Sequence, residues 1–208
     1  MSMQLWHCVG ARSLRALWAL EELELDYELE VLPFPPRVFN RDYLDINVLG
    51  TIPFFRHGDL TMTESCAIPH YLASQEGNTH LAVETQHPAY GDMLNWMHHA
   101  DATLTFPQTI VLRYTVLEPS PEKTPVADDY AKWFVARLRR LDAHLEQHDY
   151  LVDDRFTIAD ICVGYALYFA RQLKLDERFK PQTHAYLERL IEREAFKRAD
   201  ALGRGANE

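Results

Sequence analysis

The sequence predicts a small α/β domain followed by an all-helical one. Strand and helix patterns alternate through the first 75 residues, periodicity is lost from Glu76 through Pro88, and only helical patterns follow. Gln4 to Cys8 reads as the opening strand, with Gly10-Ala11 as the loop that leaves it. A helix pattern begins at Arg12 and carries Leu14, Leu17 and Trp18 on one face, then Leu23. Tyr27 to Val31 alternates apolar and charged residues, as a half-exposed strand does. A loop holding Pro33, Pro35 and Pro36 comes next. Pro53-Phe54-Phe55-Arg56 and Leu60-Thr61-Met62-Thr63 flank His57-Gly58-Asp59, a hairpin signal. Ala67, Ile68, Tyr71 and Leu72 mark another helix. The expected division is a first domain over 1–77, a linker over 78–88 and a helical domain over 89–208. Helices are expected near 89–115, 126–148, 158–173 and 183–198.

One helix start is explicit. Thr157-Ile158-Ala159-Asp160 is a capping-box sequence with Asp in place of the usual Glu, and Phe156 and Ile161 occupy the hydrophobic-staple positions. The following Ile161-Cys162-Val163-Gly164-Tyr165-Ala166-Leu167 carries no charge, so this helix is expected to be buried on every side. Asp160 is read as a cap, not as a catalytic acid.

Composition narrows the function classes. The chain has 208 residues, 47% of them hydrophobic and 25% charged, an ordinary globular balance. Its 31 acidic residues against 21 Lys and Arg give a formal charge of −10, which argues against a nucleic-acid partner. An anionic ligand must then find a local basic pocket. No apolar run is long enough for a membrane span, and the N-terminus lacks the basic start and long apolar run of a signal peptide. Cys8, Cys66 and Cys162 are far apart, which fits reduced thiols and a cytoplasmic location. No metal-ligand spacing occurs, and the adjacent His98 and His99 would diverge on a helix.

Four local sequences then converge. They are Gly10-Ala11-Arg12-Ser13-Leu14-Arg15, Asn47-Val48-Leu49-Gly50-Thr51-Ile52-Pro53-Phe54, Thr63-Glu64-Ser65-Cys66-Ala67-Ile68, and Phe156-Thr157-Ile158-Ala159-Asp160. In this order and at these spacings the chain resembles cytosolic glutathione transferases of the bacterial type over nearly its whole length. The resemblance implies a thioredoxin-like N-terminal domain that binds glutathione and a helical domain forming the other wall of the substrate cleft. It implies a homodimer, and glutathione as co-substrate with no further cofactor or metal. The implied activity is conjugation of the glutathione thiolate to small hydrophobic electrophiles in detoxification, with peroxide reduction as a further possibility.

The resemblance also implies site residues. Pro53 stands at the family's cis-proline, where Ile52 would pair its backbone with the tripeptide's central residue. Glu64 and Ser65, at a helix start, would hold the γ-glutamyl end, the hydroxyl and first N–H groups taking the carboxylate and Glu64 the amino group. Read alone, Ser65 is a plain cap and Glu64 a solvated acid. Pro69, near the first turn of that helix, is expected to distort it slightly. For the glycyl carboxylate, Arg37, Asn40 and Arg41 stand open as candidates.

The thiol is the chemical centre. A free thiol has a pKa near 8.5, and lowering it by about two units needs roughly 2.7 kcal/mol of preference for thiolate. One hydrogen bond to a charged group contributes about 1.5–3 kcal/mol, and a helix N-terminus adds about 0.3–1 kcal/mol. One donor at the start of the first helix therefore nearly suffices. Here the chain departs from the family, whose bacterial members often read Ser-Arg-Ser and use the first Ser. Members with a Gly-Ala start carry Cys where this chain has Arg12. The remaining catalytic candidates are Ser13, through its hydroxyl or its N–H, and Arg12, through its charge. For Ser13 a simple helix cap is the competing assignment.

The second substrate is expected against Trp6, His7, Phe34 and Phe39, with Phe106, Arg113 and Tyr114 from the helical domain, an aromatic set suited to an apolar electrophile. Two rival functions use the same fold: a non-catalytic binding protein, favoured by Ala11, and a glutathione-dependent thiol reductase working through Cys8.

Overall fold

A mixed four-stranded sheet and eleven α-helices make up the computed structural model, which describes residues 2–75 and 77–204. Met1, Glu76 near the end of the expected first domain, and residues 205–208 lie outside the described residues. The chain divides into two units, Met1–Ala82 with Glu192–Glu208, and Val83–Ile191. Among the described residues no helix is long and apolar enough to cross a membrane.

The first unit follows the expected β-α-β and β-β-α order: β1 (Met3–His7), α1 (Leu14–Glu22), β2 (Glu28–Val31), β3 (Phe54–His57), β4 (Leu60–Met62) and α4 (Ala67–Ala73). The proline-rich segment between β2 and β3 is not wholly irregular. It holds two single-turn helices, α2 (Pro36–Phe39) and α3 (Tyr43–Ile46). The sheet order is β2-β1-β3-β4, with β1 parallel to β2 and antiparallel to β3, and β4 antiparallel to β3. Gly58 turns the hairpin with φ +60°, a left-handed conformation open to glycine.

The strand registers gather the motifs. Trp6 opposes Phe54, so β3 begins beside the end of β1. Phe55 opposes Met62, which brings the end of β4 to the same place. Strand β2 runs parallel to β1 and finishes there too. The segments after β1, β2 and β4 and before β3 therefore share one end of the sheet. Trp6, Cys8, Leu32, Tyr43 and Phe54 form a buried cluster, with Ala11 and Ile52 packed against it.

The expected single helix over 183–198 is two helices, α10 (Pro181–Ile191) and α11 (Glu194–Arg204), and the second of them groups with the first unit. Helix α11 belongs to the first unit because its apolar face covers α1. Phe196 meets Trp18 edge-on at 4.9 Å between ring centres. Arg193 grips both Glu22 carboxylate oxygens, at 2.6 and 2.8 Å, and Arg198 binds the Glu21 carboxylate at 2.7 Å.

The second unit is helical. Its described elements include α5 (Tyr90–His98), α6 (Phe106–Leu112), α7 (Thr124–Arg137), α8 (Arg139–His144), α9 (Ile158–Gln172) and α10. A wider π-helical stretch, His99–Thr105, carries α5 into α6. Helix α9 is the centre, with every residue from Ile158 to Ala170 buried. Gln108 ties α6 to it by donating Nε2–H to the Ala166 carbonyl at 3.0 Å. The capping box at its start is formed in full. Thr157 Oγ1 accepts from the Ala159 N–H at 3.3 Å, and Asp160 Oδ2 accepts from the Thr157 N–H at 2.8 Å. Asp160 Oδ1 also accepts from the Leu151 N–H at 3.0 Å and the Tyr186 hydroxyl at 2.8 Å. One carboxylate thereby joins α9, the preceding loop and α10.

Candidate functional site

The site lies at the sheet end where these segments meet. The Ile52–Pro53 peptide bond is cis, as is Phe34–Pro35. Among the described residues neither the N–H nor the C=O of Ile52 takes a hydrogen bond. That leaves a short main-chain edge with one donor and one acceptor, the groups an extended peptide pairs with. The turn before it is braced by Tyr43, outside the motif, and by Asn47 at the motif's start. Thr51 C=O accepts from the Tyr43 hydroxyl at 2.8 Å and from Asn47 Nδ2 at 2.9 Å. Asn47 Oδ1 accepts from the Leu49 N–H at 3.1 Å. Gly50 has φ +58°, and a Cβ there would lie 2.7 Å from Arg37 Cβ, so the stem of Arg37 packs directly on the turn. Arg37 is exposed and Asn40 half-buried.

Ser65 is buried and lies two residues before α4. It makes no side-chain cap; instead its Oγ accepts from Arg15 Nη1 at 2.8 Å. Arg15 is fully buried, so α1 delivers a guanidinium beneath the hydroxyl. Glu64 is exposed beside it, its carboxylate reached among the described residues only by Thr63 Oγ1, at 3.4 Å. The Glu64 C=O accepts the Ala67 and Ile68 N–H groups, at 3.0 and 3.1 Å, which starts the helix. Pro69 falls at the third position of α4, where a helix needs no N–H, and α4 continues to Ala73. Arg15 was not foreseen as a site residue. Its signal was there: a cation amid Leu14, Ala16, Leu17 and Trp18 on the apolar face is a residue type that is rarely fully buried without a partner.

At the start of α1 the structure corrects one candidate. The Ser13 side chain is fully buried and its Oγ is committed, 2.9 Å from His7 Nδ1 and accepting from the Cys8 N–H at 3.3 Å. The hydroxyl points into the core and does not face a ligand. The Ser13 N–H, by contrast, takes no hydrogen bond among the described residues and sits at the helix N-terminus. Arg12 is half-buried in the turn before α1.

Two expected wall residues are corrected as well. Trp6 and His7 are 2% and 1% exposed, within the first unit's own core. Trp6 packs on Phe54 with ring centres 5.3 Å apart and lies under the Arg56 guanidinium. His7 turns to the opposite face, towards Ser13. Burial, partly offset by the Asp200 carboxylate, lowers the His7 pKa to about 4, so the ring is neutral near pH 7. Phe34 and Phe39 are exposed on the segment after β2. In the second unit Phe106 is exposed and contacts Tyr130 and Trp133, while Arg113 is bound to Glu118 at 3.1 Å and lies over the Tyr114 ring.

Cys8 is fully buried, its Sγ 3.7 Å from the Pro33 carbonyl, and burial pushes the thiol up to about 12. A thiol that stays protonated cannot attack a disulfide, which removes the basis of the reductase rival. Native protein treated with iodoacetamide at pH 8 is expected to leave Cys8 unlabelled by peptide mass mapping.

Comparison with known proteins points to one family. The glutathione S-transferase N-terminal domain family matches residues 1–74, and the C-terminal domain family matches residues 106–194. Glutathione S-transferase GstB of Escherichia coli is 31% identical over 190 residues, covering 88% of this chain and 90% of the relative. A glutathione transferase structure from Methylococcus capsulatus superposes with a TM-score of 0.82 at 27% identity, covering 97% of this chain and 98% of that one. Glutathione transferase URE2P6 of Phanerochaete chrysosporium, solved in complex with oxidized glutathione, superposes with a TM-score of 0.82 at 25% identity, covering 95% and 94%.

Proposed function

The chain belongs to the glutathione S-transferase family, and we propose that it conjugates the glutathione thiolate to small hydrophobic electrophiles. The observation that carries this is the unpaired main chain of Ile52 at the sheet end to which Ser65 also belongs, with Arg15 bound to the Ser65 hydroxyl. Extended glutathione pairs its cysteinyl N–H and C=O with Ile52. The γ-glutamyl carboxylate sits at Ser65, where the Arg15 guanidinium strengthens the hydroxyl as a donor, and Glu64 takes the amino group. Arg37, seated on Gly50 next to this edge, takes the glycyl carboxylate, with Asn40 and Arg41 further along the same segment. These cations offset locally the acidic charge of the chain.

The thiol then lies against the first turn of α1. The Ser13 N–H and the helix N-terminus stabilise the thiolate, and Arg12 adds charge nearby. No proton acceptor on the protein is required if the thiol pKa falls below the working pH. The thiolate attacks the electrophilic carbon of the second substrate, forming the C–S bond as the leaving group departs with the bonding pair. Held side by side, the two reactants also gain the advantage of proximity. Phe34 and Phe39, exposed on the segment after β2, supply apolar surface for the second substrate. A cytoplasmic homodimer active in detoxification, with peroxides as further substrates, completes this reading.

The test is calorimetry with reduced glutathione together with turnover of an activated aryl halide. Ser65→Ala is expected to weaken glutathione binding about tenfold, the loss of one charge-assisted hydrogen bond. Binding without turnover would favour the non-catalytic rival. No uptake at millimolar glutathione would overturn both.

A further inference from the structure

Helix α11 reaches the candidate thiol site from behind. Gly203 lies in its last turn, and a Cβ built there would stand 2.7 Å from His7 Nε2 and 3.4 Å from His7 Cδ2. Its φ is not left-handed, so conformational freedom does not explain it, and glycine within a helix is disfavoured relative to alanine. What it provides is contact: helix backbone lies directly on the imidazole. His7 in turn meets Ser13 Oγ through Nδ1 at 2.9 Å, and Ser13 is the residue at the start of α1. Further along, Phe196, Arg193 and Arg198 clamp α11 to the other end of α1.

We infer that Gly203 and His7 are positioning residues: α11 presses the imidazole onto Ser13 and so sets where the first N–H of α1 points. This rests on the reading of the Ser13 N–H as the thiolate donor. A hydrogen bond loses strength steeply as its angle degrades, so a small displacement of Ser13 acts on the sulfur without touching the contacts that hold the peptide. The titratable and charged groups around His7 and Ser13 are Asp200 and Arg204 from α11, Cys8 from the turn, Arg12 before α1 and Arg15 within it.

The experiment follows the ultraviolet absorbance of bound glutathione thiolate against pH, with kcat/KM for an aryl halide and glutathione Kd by calorimetry. Gly203→Ala is expected to raise the thiolate midpoint by about one unit and lower kcat/KM near neutral pH about tenfold. The glutathione Kd is expected to stay within about twofold, because the Ile52 and Ser65 contacts are intact. The double variant His7→Asn with Gly203→Ala is expected to return the midpoint towards wild type. Asn places a polar atom where Nδ1 was and leaves room for the methyl group. A Gly203→Ala midpoint equal to wild type overturns the inference, as does a double variant no better than the single one. Should Gly203→Ala fail to fold, His7→Asn and His7→Leu decide the matter: Leu is expected to raise the midpoint and Asn to hold it, and equal midpoints overturn the proposal. A wild-type protein that binds glutathione with an ordinary thiol midpoint refutes the underlying donor assignment, a result distinct from any variant effect.

Discussion

Asp160→Ala is expected to destabilise the helical unit by roughly 3–5 kcal/mol, a large share of the about 5–15 kcal/mol that holds a typical protein folded. The substitution strands the Leu151 N–H, the Thr157 N–H and the Tyr186 hydroxyl, each buried and each now bound to one carboxylate. Leaving one such donor unpaired costs about 1–3 kcal/mol. Urea unfolding followed by circular dichroism measures the effect, and a midpoint unchanged from wild type would refute it. The same residue gives a pH signature. Burial raises its pKa from the ordinary 3.8 to about 6, outweighing the donors that favour the anion. An acid with a raised folded-state pKa binds its proton more tightly when folded, so its contribution is most favourable below about pH 4. It is lost as pH rises through 6. Relative to Asp160→Asn, wild-type stability should therefore fall by roughly 3 kcal/mol between pH 4 and 7. A gap that does not change with pH would show that the folded-state pKa is not raised.

Arg15→Met is expected to weaken glutathione binding by about 10- to 100-fold, or roughly 1.5–3 kcal/mol, with a cooperative thermal transition retained. The methionine fills the space of the arginine stem but leaves Ser65 Oγ without its 2.8 Å donor. Arg15→Lys should recover only part of the loss, because an ammonium lacks the planar fork that reaches the hydroxyl while bonding elsewhere. Calorimetry with reduced glutathione reads both variants, and wild-type affinity in Arg15→Met would remove Arg15 from the site.

What the sequence made legible was local. The hairpin at His57-Gly58-Asp59 and the capping box at Thr157 and Asp160 depend on residues within a few positions of one another, and both formed as read. The motif around Ile52-Pro53 was legible for the same reason. Arg15 was not singled out because arginine is a good helix former and a periodicity reading treats it as solvent-facing. The commitment of Ser13 to His7 was hidden too, since a Ser before a helix looks the same whether its hydroxyl faces in or out. The break between α10 and α11 has no Gly or Pro at Glu192-Arg193 to announce it. The docking of α11 depends on pairs such as Trp18 with Phe196, far apart in sequence and invisible to any local pattern.

The return of α11 to α1 bears on how the protein is made. A ribosome releases β1 to α4 early, yet the helix that covers Trp18 and neutralises Glu21 and Glu22 follows only after the whole second unit. Until then the nascent chain carries an uncovered aromatic surface, the kind of exposure that invites aggregation or chaperone capture. A fragment ending at Ala82, or a stop codon ahead of Arg193, would leave that surface bare for good.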